Sequence, residues 1–254
     1  MNKWLNHNTD NRNRFLNEVE KIINNDELFR DFKNNLIFNT VINNDRRGHD
    51  TVDPYFKYIQ KNKPDLLNYF EKFATLDDVG NPIKLKVGNY NISSGIVIFA
   101  YVLSDILLRI GNTKDMDIIE IGSGYGGQSK IIQDYGCKSY TCVDVNPTIK
   151  LTKKYLDHYY KHTCYVTYPE LFVKDKYDLV ISNWCVSEFP NDLFEEYFEK
   201  VIKNCDNAFF WSNLWDKNRK DSLKKKLSQH FNNVQEFPFL LNEKKQNYLL
   251  ICKR

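Results

Sequence analysis

The chain has 254 residues, 42% hydrophobic and 15% aromatic, which suits one α/β domain with an appendage. Its net charge of +3 is too mild for the concentrated basic face that nucleic-acid binding requires, so no nucleic-acid partner is expected. No apolar run reaches the roughly 18 residues of a membrane span and none of the six cysteines forms a C-x-x-C pair, so neither a membrane segment nor a zinc ribbon is expected.

The first residues, Met1-Asn2-Lys3-Trp4-Leu5-Asn6-His7-Asn8, lack the apolar stretch of a secretion signal, and a reducing cytoplasm is the expected location. Residues 1–85 read as a helical cap. Phe15, Leu16, Val19, Ile22 and Ile23 recur at helical spacing, as do Leu28, Phe29, Phe32, Leu36 and Ile37. Residues 43–50 are polar and read as a loop, a helix is expected after Pro54, and Pro64 suits the first turn of the next. Residues 91–110 read as one longer helix, capped by Asn91 or Ser93 and stopped at Gly111.

From there strands and helices alternate, which argues a mainly parallel sheet within residues 86–254. Strands are expected at 117–121, 139–144, 164–167, 177–182 and 207–211, with helices at 127–135, 147–160, 192–205 and 221–230. Two last strands, 234–237 and 248–251, flank a turn at 242–245 and close the sheet as an antiparallel hairpin.

The segment Asp117-Ile118-Ile119-Glu120-Ile121-Gly122-Ser123-Gly124-Tyr125-Gly126-Gly127 reads as a buried strand, a glycine-rich turn and a helix start. Glycines permit positive φ and close approach of a ligand, and the helix aims free N–H groups back at it. Gly122-x-Gly124-x-x-Gly127 also fits the dinucleotide fingerprint. Glu120 argues otherwise, because a carboxylate ending this strand repels a pyrophosphate and attracts an ammonium or a sulfonium. The next strand ends at Asp144, roughly 20 residues on, where a carboxylate accepts two ribose hydroxyls. Together Glu120 and Asp144 favour S-adenosylmethionine over NAD, with Gly122, Ser123, Gly124, Val145 and Asn183 at the same strand ends.

The glycine turn, the strand end Asp144-Val145-Asn146-Pro147 and the terminal hairpin resemble the class I S-adenosylmethionine-dependent methyltransferases. Ser182-Asn183-Trp184-Cys185-Val186-Ser187-Glu188 is similar to the strand-four motif of a sugar O-methyltransferase family, and Trp211-Ser212-Asn213 and Val87-Gly88-Asn89 fit it too. The resemblance covers residues 86–254. It implies a Rossmann-like sheet of seven strands, the last antiparallel, and an O-methyltransferase acting on a sugar hydroxyl, free, nucleotide-linked or in a glycan. The alternatives are methylation of another small metabolite, and a silent methyltransferase fold that serves as a binding subunit.

A hydroxyl acceptor needs its proton removed during attack. Glu188 is the first candidate for the base, and His49, beside Asp50 and Asp53, is the second. Tyr125, Trp184, Ser187 and Asn213 are candidates for contact with the acceptor. Asp45, His49, Asp50 and Asp53 lack a diagnostic metal spacing, and no metal site is assigned.

Overall fold

The computed structural model describes residues 9–42, 47–171, 174, 176–212, 217–238, 240 and 248–254. The N-terminal part is helical: α1 (Thr9–Asn24), α2 (Asp26–Arg30), α3 (His49–Asn62) and α4 (Phe70–Ala74), with 3-10 turns at Phe32–Asn34, Phe38–Thr40, Pro64–Tyr69 and Thr75–Asp78. The Asn25 side chain caps α2 by accepting from the N–H groups of Glu27 and Leu28. α3 starts at His49, five residues before the proline expected to precede it, so His49 and Asp50 occupy its first turn and not a loop. Pro54 lies in the second turn of the helix, where its missing N–H leaves the Asp50 carbonyl without the usual i+4 donor.

Residues 84–93 depart from expectation. They form a two-stranded hairpin, β1 (Lys84–Val87) and β2 (Tyr90–Ser93), around Gly88 at φ +56°. The helix expected from Asn91 therefore begins only at Ser94, as α5 (Ser94–Arg109). α5 is apolar nearly all round because it is covered on both sides, by the N-terminal helices and by the sheet. It stops where predicted, with the Gly111 N–H donating to the Ile106 carbonyl.

The sheet has seven strands: β3 (Asp117–Ile121), β4 (Ser139–Val145), β5 (Cys164–Tyr168), β6 (Tyr177–Asn183), β7 (Cys205–Ser212), β8 (Asn233–Pro238) and β9 (Tyr248–Lys253). Their order is β5-β4-β3-β6-β7-β9-β8. β3 to β7 run parallel, and β9 is antiparallel to both its neighbours. The helices are α6 (Gly127–Tyr135), α7 (Thr148–Leu156), α8 (Asn191–Lys200) and α9 (Lys217–Leu227). α8 ends before the predicted limit: residues 202–204 make a 3-10 turn and Cys205 already opens β7. The expected turn at 242–245 lies outside the described residues.

Two apolar cores lie on the two faces of the sheet. One holds Ile118, Cys142, Leu179 and Ile181 together with α5 and the N-terminal Phe15, Phe32, Phe38 and Phe70. The other holds Ile119, Ile121, Val143 and Val180 under α8 and α9. Each buried side chain of this size contributes about 1.5–3 kcal/mol. The strand order reverses between β3 and β6, and the strands' carboxyl ends there open a crevice.

Candidate active site

The turn after β3 is built on left-handed backbone, with Gly122 at φ +81° and Gly124 at φ +56°. A Cβ on Gly122 would lie 2.4 Å from the Cys185 Cβ, so only glycine lets the loop after β6 pass this close. The N–H groups of Gly122 and Ser123 both donate to the Val143 carbonyl, which pins the turn to β4. Ser123 is buried, its hydroxyl 3.5 Å from that of Thr152.

Asp144 faces this turn from β4. One carboxylate oxygen accepts the Gly124 N–H at 2.9 Å and the other its neighbour Val145's N–H at 2.7 Å. Burial pushes its carboxyl up to about 6, opposed by those two bonds and by the guanidinium of Arg12 on α1. Ile42 approaches Gly124 from the same side, so the N-terminal segment roofs this end of the crevice.

A cleft opens beside Asp144. Gly122, Asp144 and Val145 line it from the strand ends. Tyr168, Phe189 and Tyr197 supply aromatic walls, and Cys185 and Leu193 complete it. Sequence reasoning missed these walls. Leu193 and Tyr197 carry a core-like helical spacing, and only packing of α8 against the strand ends turns them toward a cavity.

Asn183 is the last residue of β6. Its side-chain oxygen and nitrogen are both buried, and neither has a hydrogen-bond partner among the described residues. An unpaired buried polar group costs about 1–3 kcal/mol, a cost that a group pairing with this amide would recover. Trp184 follows at φ +59°, where a bulky residue stores about 1–3 kcal/mol of backbone strain. Its N–H donates to the Trp211 carbonyl at 2.6 Å, and its ring lies 4.0 Å from that of Trp211.

Other candidates sit elsewhere. Glu120 is 2% exposed on the α5 side of β3 and accepts from the Tyr140 hydroxyl at 2.9 Å. It lies beneath the glycine turn and does not line the cavity, and desolvation pushes its carboxyl up to about 8. Tyr125, expected to face a ligand, is 1% exposed and packs among the rings of Phe32, Phe38, Phe99 and Tyr155. The docked N-terminal segment takes the face that a substrate was expected to meet.

Glu188 is exposed on the 3-10 turn Val186–Glu188, between Cys185 and Phe189, which both line the cavity. Ser187, on the same turn, is buried and lines a second cavity with Arg219 and Lys226 instead of the first. His49 is exposed, its Nδ1 3.2 Å from an Asp53 carboxylate oxygen. Asn213 and Asp45 lie outside the described residues. Among the described residues no cluster of acidic, histidine and cysteine side chains could hold a metal ion, and no helix is long and apolar enough to cross a membrane.

No protein-family profile matches the sequence. A curated protein, the non-reducing polyketide synthase mapC of Penicillium roqueforti, is 25% identical over 127 residues, a match spanning 45% of this chain and only 5% of that protein. Among solved structures, the methyltransferase domain of bacterial CtHen1 superposes with a TM-score of 0.51 at 11% identity, covering 62% of this chain and 97% of that one. The N-methyltransferase NodS of Bradyrhizobium japonicum WM9, in complex with S-adenosylhomocysteine, superposes with a TM-score of 0.50 at 16% identity, covering 62% and 85%. The fold is that of the class I S-adenosylmethionine-dependent methyltransferases.

Proposed function

We propose that the protein is an S-adenosylmethionine-dependent methyltransferase whose acceptor is a sugar hydroxyl, free, nucleotide-linked or in a glycan. The observation that carries the reading is the unpaired amide of Asn183 beside the cavity that Gly122 and Asp144 line. The residues present fit the cofactor: the aromatic lining of the cleft suits the flat face of an adenine, and the Asp144 oxygens keep lone pairs for two ribose hydroxyls. The Asn183 amide, at once donor and acceptor, serves the polar groups at the end of β6.

Bound S-adenosylmethionine supplies an electrophilic methyl group on a sulfonium that is already a good leaving group. The protein's own work is therefore positioning and proton removal. Glu188 would take the proton from the acceptor oxygen as it attacks the methyl carbon, with the carbon–sulfur bond breaking and S-adenosylhomocysteine leaving. The sugar assignment rests on the strand-end residues from Ser182 to Glu188 and on the partly exposed indole of Trp184, backed by the buried Trp211, whose apolar face suits the C–H face of a sugar ring.

Two measurements test this. Calorimetry should show S-adenosylhomocysteine binding and no NADH binding; NADH binding in its place would discard the cofactor. Methyl-labelled cofactor with a panel of nucleotide sugars, glycans and non-sugar alcohols and amines should label a sugar, and exclusive labelling of a non-sugar would discard the acceptor class. On the labelled acceptor, Glu188→Gln should lower turnover by at least about 10-fold with S-adenosylhomocysteine affinity unchanged.

A further inference from the structure

We infer that the second cavity, between α8 and α9, seats a phosphoryl group of the acceptor, so that the acceptor is a sugar phosphate or a nucleotide-linked sugar and not a neutral sugar or glycan. This rests on the sugar reading above and adds to it the part of the acceptor that is held away from the reacting hydroxyl.

Helix spacing builds the cavity. Arg219, Ser222, Leu223 and Lys226 stand at i, i+3, i+4 and i+7, one stripe of α9. Asn191, Phe194 and Glu195 stand at i, i+3 and i+4 on α8 and line the same space. A helix stripe turned inward is ordinarily apolar. Here only part of it is: Phe194, Leu223 and Val186 are buried and form the floor. Arg219 and Lys226 are half-buried above it, and Ser222 and Asn191 are exposed at the mouth. The volume is about 120 Å³, small beside the roughly 300–1,000 Å³ of a pocket for a whole ligand, and suited to a single group of one.

The chemistry of the lining selects an anion. Two cations meet one carboxylate among the described lining residues, and that carboxylate, Glu195, accepts from the Lys226 ammonium at 2.6 Å. An ammonium has three donors, so this pair leaves Lys226 able to serve a second acceptor. Arg219 donates to the Phe189 carbonyl, which fixes the guanidinium in place, and a guanidinium fork matches the oxygens of a phosphoryl group. The Ser222 hydroxyl and the Asn191 amide add neutral donors at the mouth. A dianionic phosphoryl group gains more from two cations than a single carboxylate does.

The position ties this seat to the reaction. Val186, Ser187 and Phe189 line the cavity, and Glu188 stands on the same turn, between Ser187 and Phe189. Phe189 also lines the cofactor cleft. A sugar anchored here by its phosphoryl group presents its hydroxyls beside Glu188. Binding of a part that does not react is then used to orient the part that does.

The test has two arms. In the first, the full chain is titrated with inorganic phosphate by calorimetry at fixed ionic strength. The expected dissociation constant is about 10 mM or tighter, within what two charge-assisted contacts supply. Lys226→Gln should weaken phosphate by about 10-fold or more with S-adenosylhomocysteine affinity kept, and Lys226→Arg should restore it. The pair broken by this substitution is a partly exposed one that contributes little to folding. In the second arm, methyl transfer is measured on a neutral sugar, its phosphate, its nucleotide diphosphate and the matching uronate. The phosphorylated members should exceed the neutral sugar in kcat/KM by about 10-fold or more, and Lys226→Gln should remove most of that preference. Inorganic phosphate should compete with the phosphorylated acceptor. Absence of phosphate binding overturns the inference, as does a uronate preferred to the phosphate. Phosphate that binds without competing marks a separate anion and overturns it too. If neutral sugars are labelled as readily as phosphorylated ones, only the present inference fails. If non-sugars alone are labelled, the acceptor reading fails and this inference with it.

Discussion

The two ends of the crevice are built differently. At the β3–β4 end the polar groups satisfy one another: both Asp144 oxygens accept N–H groups and the turn's own N–H groups bond to Val143. At the β6–β7 end Asn183 has both polar atoms buried and unpaired among the described residues, beside a tryptophan held at positive φ. The first end is organised before any ligand arrives. The second stores free energy that a ligand can recover. A cofactor site that must be filled at every turnover gains from the first arrangement, and a site that must choose its occupant gains from the second.

Substitutions at the two ends should move stability in opposite directions. The largest effect is expected from Gly122→Ala. The new Cβ meets Cys185 and the backbone stays at positive φ, so denaturant unfolding should show a loss of about 2–4 kcal/mol. An unchanged midpoint would mean that the β3 turn and the β6 loop do not meet so closely. Asp144→Ala should weaken S-adenosylhomocysteine binding by about 1.5–3 kcal/mol, the range for hydrogen bonds to a charged group, as read by calorimetry.

Glu120 makes the contrast depend on pH. Its carboxyl is raised from the ordinary 4.5 to about 8 in the folded state. Between those values the folded protein holds a proton that the unfolded chain has released, so stability is greatest below about pH 4.5 and falls as pH rises through about 8. Glu120→Gln should flatten that decline by about 1–3 kcal/mol in unfolding series across the window, and an unaltered slope would remove Glu120 as its source. The smallest change is expected from Asn183→Leu, which replaces the unpaired amide by an apolar group of similar size. It should raise the stability of the free protein by about 1 kcal/mol while impairing turnover. A stability loss at this position would break the comparison between the two ends.

Most of the scaffold was legible because it follows from local pattern. The apolar run 117–121, the glycines behind it and the acid ending the next strand place β3, the turn and Asp144 without knowledge of anything distant. The hairpin at 84–93 was within reach too, since Gly88-Asn89 is a hairpin turn pair, but four-residue strands alternate too briefly to outweigh the helix behind them. The roles of Tyr125 and Glu120 were not legible. Tyr125 is buried by Phe32 and Phe38, about ninety residues earlier in the chain, and Glu120 is turned inward by the hydroxyl of Tyr140 on the neighbouring strand. The cavity walls on α8 fail for the same reason: a helix face shows its apolar spacing in sequence, but not whether it meets a core or a void.

Lys33 binds the N-terminal segment to the rest of the fold. It is 0% exposed, donates to the Leu76 carbonyl at 2.6 Å, and lies 5.0 Å from the ring centroids of both Tyr125 and Tyr155. A lysine keeps its charge in such a place only while the carbonyl, the rings and the nearby Asp77 are all assembled around it. Withdrawing the segment would also leave the aromatic rings beside the glycine turn open to water. Residues 9–42 and the sheet are therefore expected to melt as one cooperative unit, since folding must bring together contacts more than a hundred residues apart in sequence.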